Sequence, residues 1–186
     1  MSDDALTRSL YQQICSLPTV DAHEHLHSEQ MRLERRVDIF LLFHQYLHTQ
    51  LVCAGMAPEA AAALESETVP LDAKWQALAP YLDLVRDCGC ARPPYEALRR
   101  FFGADELTAD NYEELTARMR QHNQPGLYHR CLREACGIVL VLNQNRTMWQ
   151  TDLFKPILPE TDFIGAATLQ SYTQVAVKAG TDLPAH

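Results

Sequence analysis

Several features that mark large classes of protein are missing from this sequence. Its 16 basic residues stand against 24 acidic ones, for a net charge of -8, and no block of Lys and Arg offsets the imbalance. A chain with this charge is a poor partner for nucleic acid. The first residues, Met-Ser-Asp-Asp, are acidic and unlike a secretory signal, and no apolar run approaches the ~20 residues of a membrane helix. We therefore expect a cytoplasmic protein that binds neither nucleic acid nor a membrane.

Several well-known catalytic and metal-binding motifs are also missing. The chain has no glycine-rich phosphate loop, no Gly-x-Ser-x-Gly and no Walker sequence. Its 6 cysteines are scattered, and the closest pair, Cys88 and Cys90, lacks both the spacing of a zinc knuckle and a matching second pair. We interpret all six as reduced thiols of an intracellular protein.

The stretch with the most specific chemistry is residues 20–27, Val-Asp-Ala-His-Glu-His-Leu-His. In an extended strand alternate side chains share a face, so Asp21, His23 and His25 are predicted to project together. Two imidazoles on one face of a strand can ligate a single metal ion. The alternative is a pair of hydrogen-bonded histidines at a strand end with no further role. We interpret His23 and His25 as metal ligands, although a catalytic zinc commonly has three protein ligands.

A second pair of histidines, His44 and His48, has the spacing of neighbouring turns of a helix. This is the geometry of a zinc-binding pair, but the glutamate of a His-Glu-x-x-His metalloprotease is missing. We interpret both as core or surface histidines of a helical region.

The apolar pattern predicts a helix, a strand, a long helical excursion and two further strands. Residues 4–17 predict an amphipathic helix, and residues 37–54 predict a long apolar helix that ends at Gly55. Prolines and a capping box then open further helices, and residues 127–136 form the last one. The predicted openings are at Pro58, Pro70 (with a kink at Pro80), Pro93-Pro94 and Asp110-x-x-Glu113.

The hydrophobic pattern changes in about the last quarter of the chain. Residues 138–142, Ile-Val-Leu-Val-Leu, predict a parallel strand buried on both faces, and residues 162–169 are a weaker strand candidate. Asn143 and Arg146 follow the apolar strand, at the end where α/β proteins bind ligands, so we predict that they contact a substrate.

This order predicts an α/β protein in which a large helical insertion follows the first strand, because ordinary crossovers are far shorter. Residues 1–28 would hold the N-terminal helix and first strand, residues 29–136 a helical lid or cap, and residues 137–186 the second and third strands.

Residues 20–26 resemble the first-strand Asp-x-His-x-His signature of the amidohydrolase superfamily, most closely the amidohydrolase-related branch that includes uronate isomerases. Short matches in the helical region support the resemblance: Lys74-Trp75, Pro80-Tyr81, and residues 95–98, 102–107 and 125–128. The resemblance implies a (β/α)8 barrel of the TIM type that binds one or two divalent metal ions at the C-terminal end of its strands. Zinc is the expected metal. His23 and His25 match the first two ligands. The family takes its other ligands and its acid/base aspartate from later strands.

Two expectations follow from this resemblance. A full barrel takes ~250 residues, so we expect the chain to be the N-terminal part of a longer enzyme. We expect a metal-dependent hydrolase that directs activated water at an amide, lactone or related centre of a small molecule. The alternatives are a uronate isomerase-like enzyme, or a catalytically silent module whose unpaired sheet edge binds another copy of the chain as a homo-oligomer. No catalytic acid or base is assigned.

Overall fold

The computed structural model describes residues 3–144 and 151–157, together with residues 170, 173, 174 and 177. Within these ranges the chain is mixed α/β and mostly helical, with one three-stranded parallel sheet, so the predicted α/β class is confirmed at this coarser level. No helix among the described residues is both long and apolar enough to cross a membrane.

The strands are Thr19–Glu24 (β1), Ile138–Asn143 (β2) and Phe154–Pro156 (β3). The α-helices are Asp3–Cys15 (α1), Glu29–Glu34 (α2), Tyr46–Cys53 (α3), Pro58–Ala63 (α4), Leu71–Leu78 (α5), Leu82–Val85 (α6), Arg92–Ala97 (α7) and Tyr112–His122 (α8). Tighter 3-10 turns lie at Ile39–Phe43, Ala79–Tyr81 and Gly89–Ala91, and wider π-helical turns at Leu98–Phe102 and His129–Ala135.

Two compact units make up the chain. Met1–Arg32 with Gly126–His186 forms the sheet unit, and Leu33–Pro125 forms the helical unit. The sequence placed the boundaries at residues 28/29 and 136/137. The carboxylate of Glu29 accepts backbone N–H groups from Gly126 (2.9 Å) and Tyr128 (2.8 Å), which ties both ends of the excursion into the sheet unit. The lid role of the helical unit stays a prediction.

The sheet has the order β1-β2-β3, and both neighbouring pairs are parallel. Strands β1 and β2 confirm the predictions at residues 20–26 and 138–142. Strand β3 was not predicted, because three residues that end in a proline are too few to show the hydrophobic alternation of a strand. The strand predicted at residues 162–169 lies outside the described residues.

Burial of β2 differs from the prediction. Val141 and Asn143 are buried on one face, but the residues of the other face are only half-buried, so the strand is not fully covered on both faces. The half-buried residues are Ile138, Leu140 and Leu142. The core of the sheet unit is correspondingly small and is centred on Val141, Leu153 and Phe154. Helix α1 forms where it was predicted, yet its apolar stripe is exposed. The exposed side chains are Leu6, Leu10 and Ile14 of α1 and Leu17, which follows the helix.

The helical unit has a larger core, and this core breaks one predicted helix. The helix predicted over residues 37–54 is divided at Gln45, whose φ is 55°. Before the break, Asp38 accepts the N–H of Phe40 (3.1 Å) and starts a 3-10 turn that buries Ile39, Phe40 and Phe43. Burying these three large side chains together outweighs the continuous helix that the apolar pattern favoured.

Helix ends follow the proline and glycine signals, with one exception. Helix α4 begins at Pro58, α5 begins after Pro70, and the 3-10 turn containing Pro80 ends α5 as the predicted kink required. The capping box at residues 110–113 is wrong. Asn111 precedes α8 without capping it, because its side-chain oxygen accepts the N–H of Thr108 instead (2.8 Å).

A buried ion pair joins three segments of the helical unit. Lys74 donates to the carboxylate of Asp38 (2.6 Å) and to the carbonyl of Leu64 (2.9 Å). The side chains of Lys74 and Asp38 are only 1% and 7% exposed. The sequence indicated no pairing for Lys74, because the partner lies 36 positions away and charged residues are ordinarily exposed.

Candidate metal centre

The two predicted ligands lie at the carboxyl end of the parallel sheet. His23 is in β1, and His25 follows the last strand residue, Glu24, which pairs with Asn143 at the end of β2. In parallel α/β sheets this is the end at which ligands bind. The position therefore agrees with the site that the sequence predicts.

The structure brings the two imidazoles into contact. The Nε2 atoms of His23 and His25 are 2.9 Å apart, and the rings meet at 78° with centroids 4.7 Å apart. Two Zn–N bonds of ~2.0–2.1 Å that meet at about 90° span about 2.9 Å, and a tetrahedral angle requires about 3.3 Å. Both rings are exposed, so small side-chain rotations cover this difference. The donor pair fits a divalent ion, and without one the same contact is a hydrogen bond between the rings.

The end of β2 orients the ring of His25. Its Nδ1 lies 3.2 Å from the backbone carbonyl oxygen of Gln144. A carbonyl can only accept, so the Nδ1 of His25 carries the proton and its Nε2 presents a lone pair to His23. The N–H of Gln144 in turn donates to the carbonyl of Glu24 (2.6 Å). This is the backbone support that metal-ligating histidines ordinarily have.

Asn143 joins the ends of β1 and β2 with two hydrogen bonds. Its side-chain oxygen accepts the N–H of Leu26 (2.8 Å), and its side-chain nitrogen donates to the carbonyl of Leu26 (2.9 Å). The buried amide thus pairs with the backbone as a neighbouring strand would, one residue beyond His25. The predicted substrate contact of Asn143 stays a prediction, and Arg146 lies outside the described residues.

Asp21 does not join the histidines as the alternation predicted. The pairing of β1 with β2 is irregular between Asp21 and Glu24, so the side chains no longer alternate strictly. Asp21 accepts the N–H of His23 (3.2 Å). Burial, the charge of Asp21 and a hydrogen bond between the two carboxyl groups raise the pKa of Glu24. Among the described residues, no group of three or more His, Cys, Asp or Glu side chains is disposed to hold a metal ion.

Tyr128 and Glu29 hold the segment that follows the histidines. The hydroxyl of Tyr128 donates to the carbonyl of His27 (2.8 Å), and its ring packs on Phe154 with centroids 5.3 Å apart. Burial raises the pKa of Tyr128 to about 12. No sequence pattern predicted these contacts, because Tyr128 lies 101 positions from His27 and well outside the local window of Phe154.

Another cluster of charged and aromatic side chains lies within the helical unit. Arg86 pairs with Glu106 and lies over the ring of Tyr95, 5.6 Å from its centroid. Trp75 stacks on Tyr112 at 5.6 Å. A shallow cleft is lined by Trp75, Asp83, Arg86, Tyr95 and Glu106, and none of its described lining residues is a histidine. The histidine pair of the sheet unit therefore remains the stronger candidate site.

Comparison with models of known protein families finds no match. Comparison with curated proteins of known function likewise finds no match. The support for a function is therefore the geometry of residues 20–27 and their resemblance to the first-strand signature.

Proposed function

We propose that the protein acts as a metal-dependent hydrolase of the amidohydrolase type. His23 and His25 would bind a divalent ion, with zinc as the expected metal. The small-molecule substrate would present an amide, lactone or related C–N, C–O or C–C centre. The observation that carries the proposal is the 2.9 Å separation of the two Nε2 atoms at the carboxyl end of a parallel strand. The resemblance of residues 20–26 to the first-strand signature supports it.

Each residue of the site has a distinct task in this proposal. A divalent ion held there supplies Lewis acidity and lowers the pKa of water at the site. The carbonyl of Gln144 holds His25 in the tautomer that ligates, and Asn143 keeps the chain after β1 in place. Asn143 and Arg146 are the proposed substrate contacts. The finer fold proposal is a TIM-type barrel containing this sheet, with residues 29–136 as its lid.

Zinc titration of the chelator-stripped protein tests the ligands. We expect the double variant His23→Ala/His25→Ala to lose one equivalent of bound zinc, because each change removes one of two donors. His27→Ala is the matched control, since His27 contributes its backbone carbonyl and should leave the stoichiometry unchanged. An unchanged number of equivalents in the double variant, with folding intact by circular dichroism, would show that the ligand assignment is wrong.

An activity screen tests the reaction. Amides, lactones and uronate sugars are offered to the zinc-loaded protein and to the double variant. Hydrolysis that disappears in the double variant supports the proposal, and isomerisation of a uronate would favour the isomerase alternative instead.

A silent assembly module is the second candidate, and the exposed apolar side chains of the sheet unit favour it. Ile14 of α1 is 65% exposed and Val20 of β1 is 53% exposed. Exposed apolar surface beside a strand edge promotes association between copies. Size-exclusion chromatography across a concentration series tests this second candidate, and a monomer at every concentration would count against it. Hydrolysis detected in the activity screen would show that the protein is not catalytically silent.

A further inference from the structure

The second pair of histidines lies at the broken helix of the helical unit. His44 has extended backbone angles after the 3-10 turn, Gln45 has its positive φ, and α3 begins at the next residue. Backbone hydrogen bonds close this turn, from Leu47 to the carbonyl of His44 (3.2 Å) and from His48 to that of Gln45 (3.1 Å). The neighbouring Phe43 and Leu47 are buried, so the junction is anchored on both sides.

The break leaves the two imidazoles together despite the loss of a continuous helix. The rings of His44 and His48 have centroids 5.8 Å apart and planes inclined at 73°. An ion bonded to both rings at ~2.1 Å lies about 3.2 Å from each centroid, so this separation corresponds to an angle of about 130° at the ion. Modest rotation of the half-buried rings closes this angle toward the tetrahedral value.

The carboxylate of Glu65 lies near the ring of His44. The Nδ1 of His44 is 3.6 Å from Oε2 of Glu65, and the His44 side chain is only 17% exposed. A small movement of the exposed Glu65 side chain would shorten this distance to that of a hydrogen bond, which would orient the ring and leave its other nitrogen for an ion, as in carboxylate–histidine–zinc arrangements. The nearby positive charge of Arg35 is already paired with Glu67 (3.1 Å). The carboxylate of Glu65 favours positive charge at His44, whereas Arg35 and His48 act against it.

We propose that His44 and His48 form a second binding site for a transition-metal ion, separate from the His23/His25 pair, with Glu65 as the positioning residue. Imidazole nitrogens favour zinc, nickel and copper over magnesium or calcium. Because the described residues contain no third ligating side chain at this point, water would complete the coordination. The site would clamp the junction between the 3-10 turn and α3, and it goes beyond the proposed hydrolase centre.

Zinc titration of the full chain by calorimetry tests the proposal with two double variants. We expect the parent to bind two equivalents, His44→Gln/His48→Gln to lose one, and His23→Ala/His25→Ala to lose the other. The titration therefore shows separately whether the His44/His48 pair and the His23/His25 pair bind zinc. The matched control is His129→Gln, because His129 also has a carboxylate neighbour, Glu134 at 3.1 Å, but is not proposed as a ligand.

Glu65→Gln tests the positioning role, and we expect it to weaken zinc binding at this site about tenfold with unchanged stoichiometry. A measurement on the parent protein does not depend on folded variants: the imidazole nitrogen resonances of His44 and His48 should shift together as zinc is added. The proposal would be overturned if the His44/His48 variant bound as much zinc as the parent, or if these resonances did not move.

Discussion

At the scale of single residues, hydrogen bonds from distant positions shape the histidine site. His25 contacts the Gln144 carbonyl, Leu26 is paired with Asn143, and the carbonyl of His27 accepts from Tyr128. Each contact spans more than a hundred positions of sequence. The sequence predicts that His23 and His25 belong together, because the strand period alone places them on one face, but it does not predict which backbone groups orient them.

The hydroxyl of Tyr128 makes the sheet unit sensitive to high pH. Burial raises the pKa of Tyr128 from its ordinary value of 10.0 to about 12, and the donated hydrogen bond to His27 requires the proton. Between these two values the unfolded chain releases the proton while the folded chain keeps it. This residue's contribution to stability is therefore complete below pH ~10 and is lost as the pH rises toward ~12.

We expect Tyr128→Phe to reduce this loss of stability. Urea unfolding below pH ~10 and again near pH ~11 measures the fall in the free energy of unfolding, which should be smaller for the variant than for the parent. The control is Tyr46→Phe, since Tyr46 is exposed. An equal fall in the parent and in Tyr128→Phe would contradict the assignment.

At the scale of elements, the junction before α3 carries backbone strain. Gln45 combines φ 55° with ψ -125°, a region that glycine enters readily and other residues rarely adopt. We expect Gln45→Gly to raise the free energy of unfolding of the helical unit by roughly 1 kcal/mol, because the strain is removed. Gln45→Ala keeps the strained backbone and should bring no gain. Chemical denaturation of the three proteins measures the difference, and equal gains in both variants would show that the side chain, not the backbone, is responsible.

The helix ends show which boundaries can be predicted from residues near them in the sequence. Pro58, Pro80 and Gly103 act as their chemistry requires, because a ring or a missing Cβ restricts or frees the backbone wherever it stands. The helix predicted over residues 37–54 fails, because burial of Phe40 and Phe43 is decided by neighbours outside the window. Capping at residues 110–113 fails for a local reason, because the side chain of Asn111 bonds Thr108, three residues before it.

At the scale of the whole molecule, each unit depends on contacts between distant segments. In the helical unit, Lys74 and Asp38 form an ion pair that is almost completely removed from water. Taking away one partner leaves a buried charge without compensation, which costs ~3–5 kcal/mol. The pair is therefore predicted to be a point of high sensitivity in this unit.

We expect Lys74→Met to lower the free energy of unfolding by ~3–5 kcal/mol, and Lys74→Met/Asp38→Asn to recover part of that loss. The amide of the second variant is neutral and retains an oxygen for the N–H of Phe40. Arg118→Met is the control, because Arg118 pairs with Glu114 at the surface (3.9 Å) and should change stability by less than ~1 kcal/mol. A loss in Lys74→Met no larger than in this control would refute the prediction.

The sequence by itself determined the α/β class, strands β1 and β2, the starts of α1, α4, α5 and α7, and the His23/His25 pair. These follow from side-chain period, proline and glycine, all of which act within a few residues. Only the tertiary structure decided the break at Gln45, the pairing of Lys74 with Asp38, strand β3 and the support of His25 by Gln144. These features depend on burial and on hydrogen-bond partners many positions away. A local sequence pattern does not determine which distant residue makes each contact.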